Sequence, residues 1–310
     1  MRLTKRTIAL VFAIDAVVLA FLLAVRVDVR IHERHEEERG VNAWGFRGPT
    51  RFSKPAGGLR VAMIGGSAAF DPGSFAEYTV AGYLHSTVDA AWRTAYPRPF
   101  INVVNLAEPG AGAGSYIQTL RDYEYLEPDA ICIYDGYDVV DGDVPAHGRR
   151  RSAVFRTVGY LPVLPAMILG RPGWMSDPDG GIAPALQDRA GASPDPTCAG
   201  SSAAYCDAMV RTAAFALDRG LAVVVASPPY VSARHRMQQE SLRDRLAREL
   251  GRHAHFQYRW MSRDVDIRDR ELSQDGVHLT PKGSQKTAEY LADAILQALG
   301  DRARLDGSAR

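Results

Sequence analysis

Ser67 closes the run Val61-Ala62-Met63-Ile64-Gly65-Gly66-Ser67, an apolar stretch that stops at two glycines and a hydroxyl. A serine hydroxyl is a poor nucleophile until a neighbouring base takes its proton. The glycines allow a sharp turn and a close approach of backbone to a ligand. Taken alone, this cluster fits an exposed nucleophile, a phosphate-binding turn or a plain helix N-cap. Far along the chain, Asp275 and His278 stand three apart in Asp275-Gly276-Val277-His278-Leu279-Thr280-Pro281. That spacing lets a carboxylate orient an imidazole, the requirement a catalytic triad imposes. Two more clusters each follow an apolar run: Asn105-Leu106-Ala107-Glu108-Pro109-Gly110, and Tyr134-Asp135-Gly136-Tyr137-Asp138. His32 and His35 lie in a charged stretch, and His253 and His255 alternate at a strand edge. None of these histidines has cysteines or carboxylates at ligand spacing, so neither a metal nor another cofactor is expected.

The elements that must position these clusters alternate regularly. Apolar runs predict strands over 59–64, 101–106, 130–134, 222–226 and 255–260, and amphipathic stretches predict helices over 75–92, 116–125, 202–219, 233–250 and 282–299. Pro281 near the start of the last helix and Gly300 after it are the usual helix punctuation. Strand-helix alternation implies a mainly parallel sheet covered on both faces, a three-layer α/β/α domain over residues 55–300. In such a sheet ligands bind beyond the carboxyl ends of the strands, where all four clusters fall. Residues 141–196 break the rhythm with many Pro and Gly and an apolar patch at 154–169. They read as an insertion: a substrate lid, a locally mobile segment or a helical cover over the core.

The chain has 310 residues, enough for one large domain and an anchor, and its 37 basic against 36 acidic residues leave a net charge of +1. No single-sign field exists to gather nucleic acid, and none is expected as a partner. Residues 1–6 are basic. Residues 7–25 are apolar on every face except at Asp15, long enough to cross a bilayer, and lack a small-x-small cleavage site. An uncleaved signal anchor is favoured over a cleaved signal or a buried soluble helix. Residues 26–54 read as a juxtamembrane linker and 301–310 as a polar tail. Arg26, Arg30, Arg34 and Arg39 rival the basic residues before the span, so charge counting leaves the orientation open. Of three cysteines, Cys132 reads as a buried small hydrophobe. Cys198 and Cys206 either pair across a short loop, which an oxidising compartment favours, or remain two free thiols.

In order, these motifs resemble those of the SGNH/GDSL hydrolases, over about residues 41–299. Gly65-Gly66-Ser67 matches the family's first block, Gly110 the glycine of its second, Gly136-Tyr137-Asp138 its Gly-x-Asn-Asp block, and Asp275 with His278 its Asp-x-x-His block. The lead-in Val41-Asn42-Ala43-Trp44-Gly45-Phe46-Arg47-Gly48 looks like that of bacterial members with a leading anchor. No Gly-x-Ser-x-Gly is present, which argues against the other large serine-hydrolase fold. The resemblance implies an SGNH/flavodoxin-like fold with Ser67 as nucleophile, His278 as base and Asp275 as the group that holds the imidazole. It also implies an oxyanion hole from the N–H groups of Ser67 and Gly110. The implied activity is hydrolysis of an ester, on an acylated surface carbohydrate if the anchored relatives are a guide. The implied place is a single-pass protein of the cell membrane with its catalytic domain outside the cytoplasm. An O-acetyltransferase using the same residues, and a non-catalytic tethered binding or assembly module, are the alternatives.

The departure is Asp138, which stands where the family has the asparagine whose amide completes the oxyanion hole. An ionised carboxylate donates nothing there, and one lost donor costs on the order of 3 kcal/mol of transition-state stabilisation. A neutral Asp138, a donor from elsewhere, or a weakened catalyst are the three readings. Asp138→Asn is expected to preserve or raise esterase turnover in steady-state assays, and a large loss would assign the carboxylate an active role.

Overall fold

The computed structural model describes residues 4–39, 42–49, 54, 56–95, 100–136, 149, 152–168 and 195–308. Its centre is a five-stranded parallel sheet of β1 (Leu59–Ile64), β2 (Ile101–Asn105), β3 (Ala130–Tyr134), β4 (Ala222–Ser227) and β5 (Phe256–Trp260), in the order β2-β1-β3-β4-β5. This is a doubly wound order, whose direction of winding reverses between β1 and β3. The α/β class and parallel sheet predicted from the sequence are what the chain adopts.

Strand residues alternate between two apolar layers. Val61, Met63, Cys132 and Val224 face a layer made with Val80, Leu84, Val88 and Trp92 of α3 (Val80–Ala95) and Leu291, Ile295 and Leu299 of α9 (Pro281–Ser308). Ala62, Ile64, Ile131 and Val223 face the other. There they meet Tyr116 and Leu120 of α4 (Tyr116–Asp122), Met209 and Ala213 of α7 (Ala203–Leu217), and Leu242 and Leu246 of α8 (Ala233–Leu250). Period-2 strands between helices with apolar residues at i and i+4 leave this three-layer packing as the way to bury both faces.

Three boundaries differ most from expectation. α3 starts at Val80 rather than 75, because Thr79 accepts a hydrogen bond from the Gly82 N–H (3.1 Å) and so acts as an N-cap. α9 continues through Gly300 to Ser308, across residues expected to form a tail. α1 (Lys5–Arg39) continues as helix well beyond the apolar run, into residues expected to form a linker. Among the described residues, α1 is the one helix long and apolar enough to cross a membrane by length and composition, with a mean hydropathy of 2.9 over its best window.

Of the insertion, the described parts are Arg149, residues 152–168 with the short helices α5 (Ala153–Val158) and α6 (Leu164–Ile168), and residues 195–196. Cys198 and Cys206 are joined by a disulfide, and Cys132 is a buried thiol inside the sheet.

The end of β1 lies so close to β3 that it tolerates no side chain. A Cβ at Gly65 would stand 2.1 Å from the carbonyl oxygen of Tyr134. Gly65→Ala is therefore expected to cost about 3 kcal/mol of unfolding free energy, at the upper end for an overpacked core site. Urea denaturation measures it, and a cost under about 0.5 kcal/mol would refute the close approach.

Candidate active site

The Ser67 turn follows directly from this approach. β1 exits through Gly65 and Gly66 into the short helix α2 (Ser67–Phe70), so Ser67 is its first residue, buried to 1% exposure. α2 stops at once, because Asp71 adopts a left-handed conformation (φ 60°) and returns its N–H to the Ser67 carbonyl at 2.8 Å. The exit of β2 is held alongside: the Glu108 N–H donates to the Gly65 carbonyl (3.1 Å), and the Asn105 amide donates to the Ala69 carbonyl (3.0 Å). Gly110 follows in a tight turn closed by the Ala111 N–H on the Glu108 carbonyl (3.0 Å), and its φ of 75° explains the glycine.

His278 sits on a narrow loop ahead of α9. Ser273 and Leu279 pair as an antiparallel bridge across it, and the Ser273 hydroxyl and Gln274 N–H both donate to the His278 carbonyl, each at 2.9 Å. Asp275 folds back over the turn. Its Oδ1 accepts the Val277 and His278 N–H groups (2.8 and 2.7 Å), and its Oδ2 lies 2.6 Å from His278 Nδ1. Burial acts to raise the Asp275 pKa, but the hydrogen bonds from the His278 ring and from the two backbone N–H groups outweigh it and hold the carboxyl below its ordinary value. An ionised Asp275 fixes Nδ1 as the protonated nitrogen and leaves Nε2 as the basic one. His278 Nε2 is buried and has no hydrogen-bond partner among the described residues.

Asp71 joins the two halves. Its buried carboxylate accepts a hydrogen bond from the hydroxyl of Ser284 (2.8 Å), in the first turns of α9, and interacts electrostatically with His278. Arg47 secures the same turn from below. Its guanidinium donates to the carbonyls of Phe70 (2.5 Å), Asp71 (2.8 Å) and Ser74, stacks 4.5 Å from the Phe70 ring centre, and remains charged with its pKa lowered by burial to about 10. Its own backbone N–H binds the Asn105 carbonyl (3.0 Å), so the lead-in segment is stitched to the ends of both β1 and β2. Sequence pattern does not single out Asp71 or Ser284, which lie 213 positions apart.

The structure thus brings the turn of Ser67, the Gly110 turn and the Asp275/His278 loop to the carboxyl edge of the sheet around the β1/β3 reversal. Asp138 lies outside the described residues. Gly136, ahead of it, approaches Pro228 and Gln239 so closely that a Cβ would meet them at 2.8 and 2.7 Å. His235, beneath this turn, is kept neutral, its pKa lowered by burial to about 3 against a hydrogen bond with the Gly136 backbone. Arg149 of the insertion is buried and ion-paired to Glu108, just before Gly110, and to Asp122 (3.1 Å). Among the described residues, no group of three or more His, Cys, Asp or Glu is placed to hold a metal. A cleft of about 940 Å³ opens at the ends of β4 and β5, with Tyr230, Trp260 and Leu272 in its walls and none of Ser67, Gly110, Asp275 or His278 lining it.

No family model and no curated protein matches the sequence. Solved structures to which the chain is similar include a lipolytic protein of the G-D-S-L family from Desulfitobacterium hafniense DCB-2, at 14% identity and a TM-score of 0.46, covering 76% of this chain and 99% of that one. The esterase EstA from a Pseudoalteromonas species gives 13% identity and 0.46, covering 78% and 98%. A family 3 carbohydrate esterase from Clostridium thermocellum gives 12% and 0.45, also covering 78% and 98%. Likeness at this level adds nothing to the strand order and site geometry already described.

Asp71 carries a pH dependence of known sign. Burial raises its pKa to about 6, against the opposing effects of Ser284, Arg47, His278 and Ser74. A carboxyl raised on folding contributes stability that is fully present below the ordinary value and lost as pH rises through about 6. Between pH 4.5 and 7.5 the wild type is expected to lose about 2 kcal/mol relative to Asp71→Asn. Urea midpoints of both proteins at the two pH values check this, and parallel profiles would refute it.

Proposed function

We propose that this chain is a serine ester hydrolase that works through an acyl-serine intermediate on Ser67. The observation that carries the reading is the His278 imidazole, held at Nδ1 by Asp275 at 2.6 Å, with Nε2 buried in a loop tied through Ser284 and Asp71 to the turn that begins at Ser67. In this reading Ser67 Oγ attacks the ester carbonyl as its proton passes to His278 Nε2. The tetrahedral centre collapses, the C–O bond to the alcohol breaks, and His278 returns the proton to the departing oxygen. Water then attacks the acyl-serine with His278 again as base, releasing the acid and restoring Ser67. Asp275 remains ionised throughout and stabilises the imidazolium. The N–H groups of Ser67 and Gly110 are the proposed oxyanion donors.

The resemblance to anchored SGNH members favours an acyl group on a surface carbohydrate as the ester cleaved. The apolar part of α1 is the proposed bilayer anchor. The Cys198–Cys206 disulfide favours a domain outside the cytoplasm, where such bonds persist.

A fluorophosphonate probe is expected to label the wild type at Ser67 and to leave Ser67→Ala unlabelled. On a short-chain aryl acetate, Ser67→Ala and His278→Ala are expected to abolish measurable turnover, and Asp275→Asn to lower kcat by roughly 10³–10⁴-fold. Unchanged turnover in Ser67→Ala would sink the proposal. With a glycan acceptor present, free acetate as the main product supports hydrolysis, whereas acetylated glycan would reassign the same residues to acyl transfer.

A further inference from the structure

Almost every described side chain of α1 is exposed, and the exceptions form one stripe: Ala24, Asp28, Ile31, His32 and Glu36. Their spacing of three and four places them on a single helix face. Residues 160–168 of the insertion pack along it in a definite direction. The Leu161 carbonyl meets His32 Nε2 at 2.8 Å. Further on, the N–H groups of Val163 and Leu164 both donate to Asp28 Oδ1 (2.9 and 2.5 Å), while the Tyr160 hydroxyl donates to Asp28 Oδ2 (2.5 Å). A carboxylate accepting N–H groups at the start of a helix is an N-cap. Here the cap of α6 is supplied by a residue about 135 positions earlier.

Between Leu161 and Leu164 the insertion therefore moves from the level of residue 32 to that of residue 28, toward the apolar run. If α6 continues in that direction, its four residues from Leu164 to Ile168 rise about 6 Å, the same rise that separates Asp28 from Ala24 on α1. Ala24 lies inside the apolar run and is its one half-buried residue, the others being exposed. The end of α6 carries Met167 and Ile168, 42% and 75% exposed, where a water-soluble surface would carry polar groups. Arg26 and Arg30 stand exposed on α1 at the same level, as basic residues do beside lipid headgroups.

We infer that α6 is a second membrane contact, with Met167 and Ile168 seated in the bilayer interface beside α1 and Asp28 fixing the height at which the domain rides. This rests on the proposal that α1 spans the bilayer. The occupant is lipid, since Met167 and Ile168 are apolar and exposed in a segment fastened to Asp28, three residues from the end of the apolar run that the proposal places in the bilayer.

The test uses the full chain in nanodiscs with an environment-sensitive thiol fluorophore. Cys132 is buried and Cys198 and Cys206 are paired, so an introduced cysteine is the accessible one. At Ile168→Cys, doxyl-labelled lipid is expected to quench at least twofold more strongly than aqueous iodide, as at Val25→Cys, with the reverse order at the exposed Glu289→Cys. Quenching at 168 by iodide alone would overturn the inference, and so would shielding from both quenchers, which would mean a protein partner covers α6. Absence of lipid quenching at Phe12→Cys would instead defeat the anchor proposal itself, so the two failures are distinguishable.

Discussion

The carboxylate of Asp71 is buried where three remote parts of the chain meet, and the geometry of the site depends on its being paired there. Removing a carboxylate from water is costly, and the cost is offset only if charges and hydrogen bonds replace the lost hydration. Ser284 supplies one hydrogen bond from α9, Arg47 supplies a positive charge from the lead-in segment, and His278 interacts electrostatically from its loop. Each partner is thereby held near the turn that starts at Ser67. The arrangement is also self-limiting, because the raised pKa of about 6 shows that these partners do not fully compensate for burial. A nearby ionised group of this kind is an electrostatic influence on the imidazole that the Asp275 contact alone would not provide.

Around that point the sheet does the coarse positioning and the glycines the fine. A parallel sheet delivers the ends of β1, β2 and β3 to one edge, but the distance from Ser67 to its neighbours is set by how closely the strands' exits approach. Gly65 lies against the Tyr134 carbonyl and Gly136 against Pro228 and Gln239, so both turns are packed against backbone or ring atoms rather than merely bent. Gly110 is different. Nothing lies within 4 Å of a Cβ placed on it, and its glycine is required by the left-handed φ alone.

This division explains what was legible in the sequence. β1, β3 and α8 begin and end where the pattern predicts, because their apolar period and flanking breakers agree. The start of α3 was obscured by Phe75 and Tyr78, whose apolar character extends the helical pattern past Thr79, where a hydroxyl caps the helix. Gly300 did not end α9, since a helical glycine costs only about 1 kcal/mol and flanking helix formers can absorb it. The Asp275/His278 pair is local and could be read directly. Asp71 with Ser284, Arg47 with Phe70, and Asp28 with α6 are contacts between distant segments, each using a residue type that elsewhere would be an ordinary surface group. Their roles follow only from tertiary proximity.

Those distant contacts also connect α1 to the site through a set of buried and half-buried polar bonds. Asp28 and His32 hold residues 160–164, and the Leu161 N–H in turn donates to the Ala43 carbonyl (2.9 Å) of the lead-in segment. That segment is shaped by the fully buried Asn42, which accepts from the Trp44 N–H and donates to the Gly48 carbonyl, each at 2.9 Å. Tyr123 donates its hydroxyl to the Trp44 carbonyl (3.0 Å), and three residues beyond Trp44 comes Arg47, which grips the turn that begins at Ser67. A flexible connection would leave α1 free to reorient against the domain, whereas each of these bonds is buried or half-buried and costly to leave unmade. The path from Asp28 to Arg47 therefore makes α1 part of the domain's framework, so the orientation of α1 also determines the direction in which the Ser67 edge of the sheet faces.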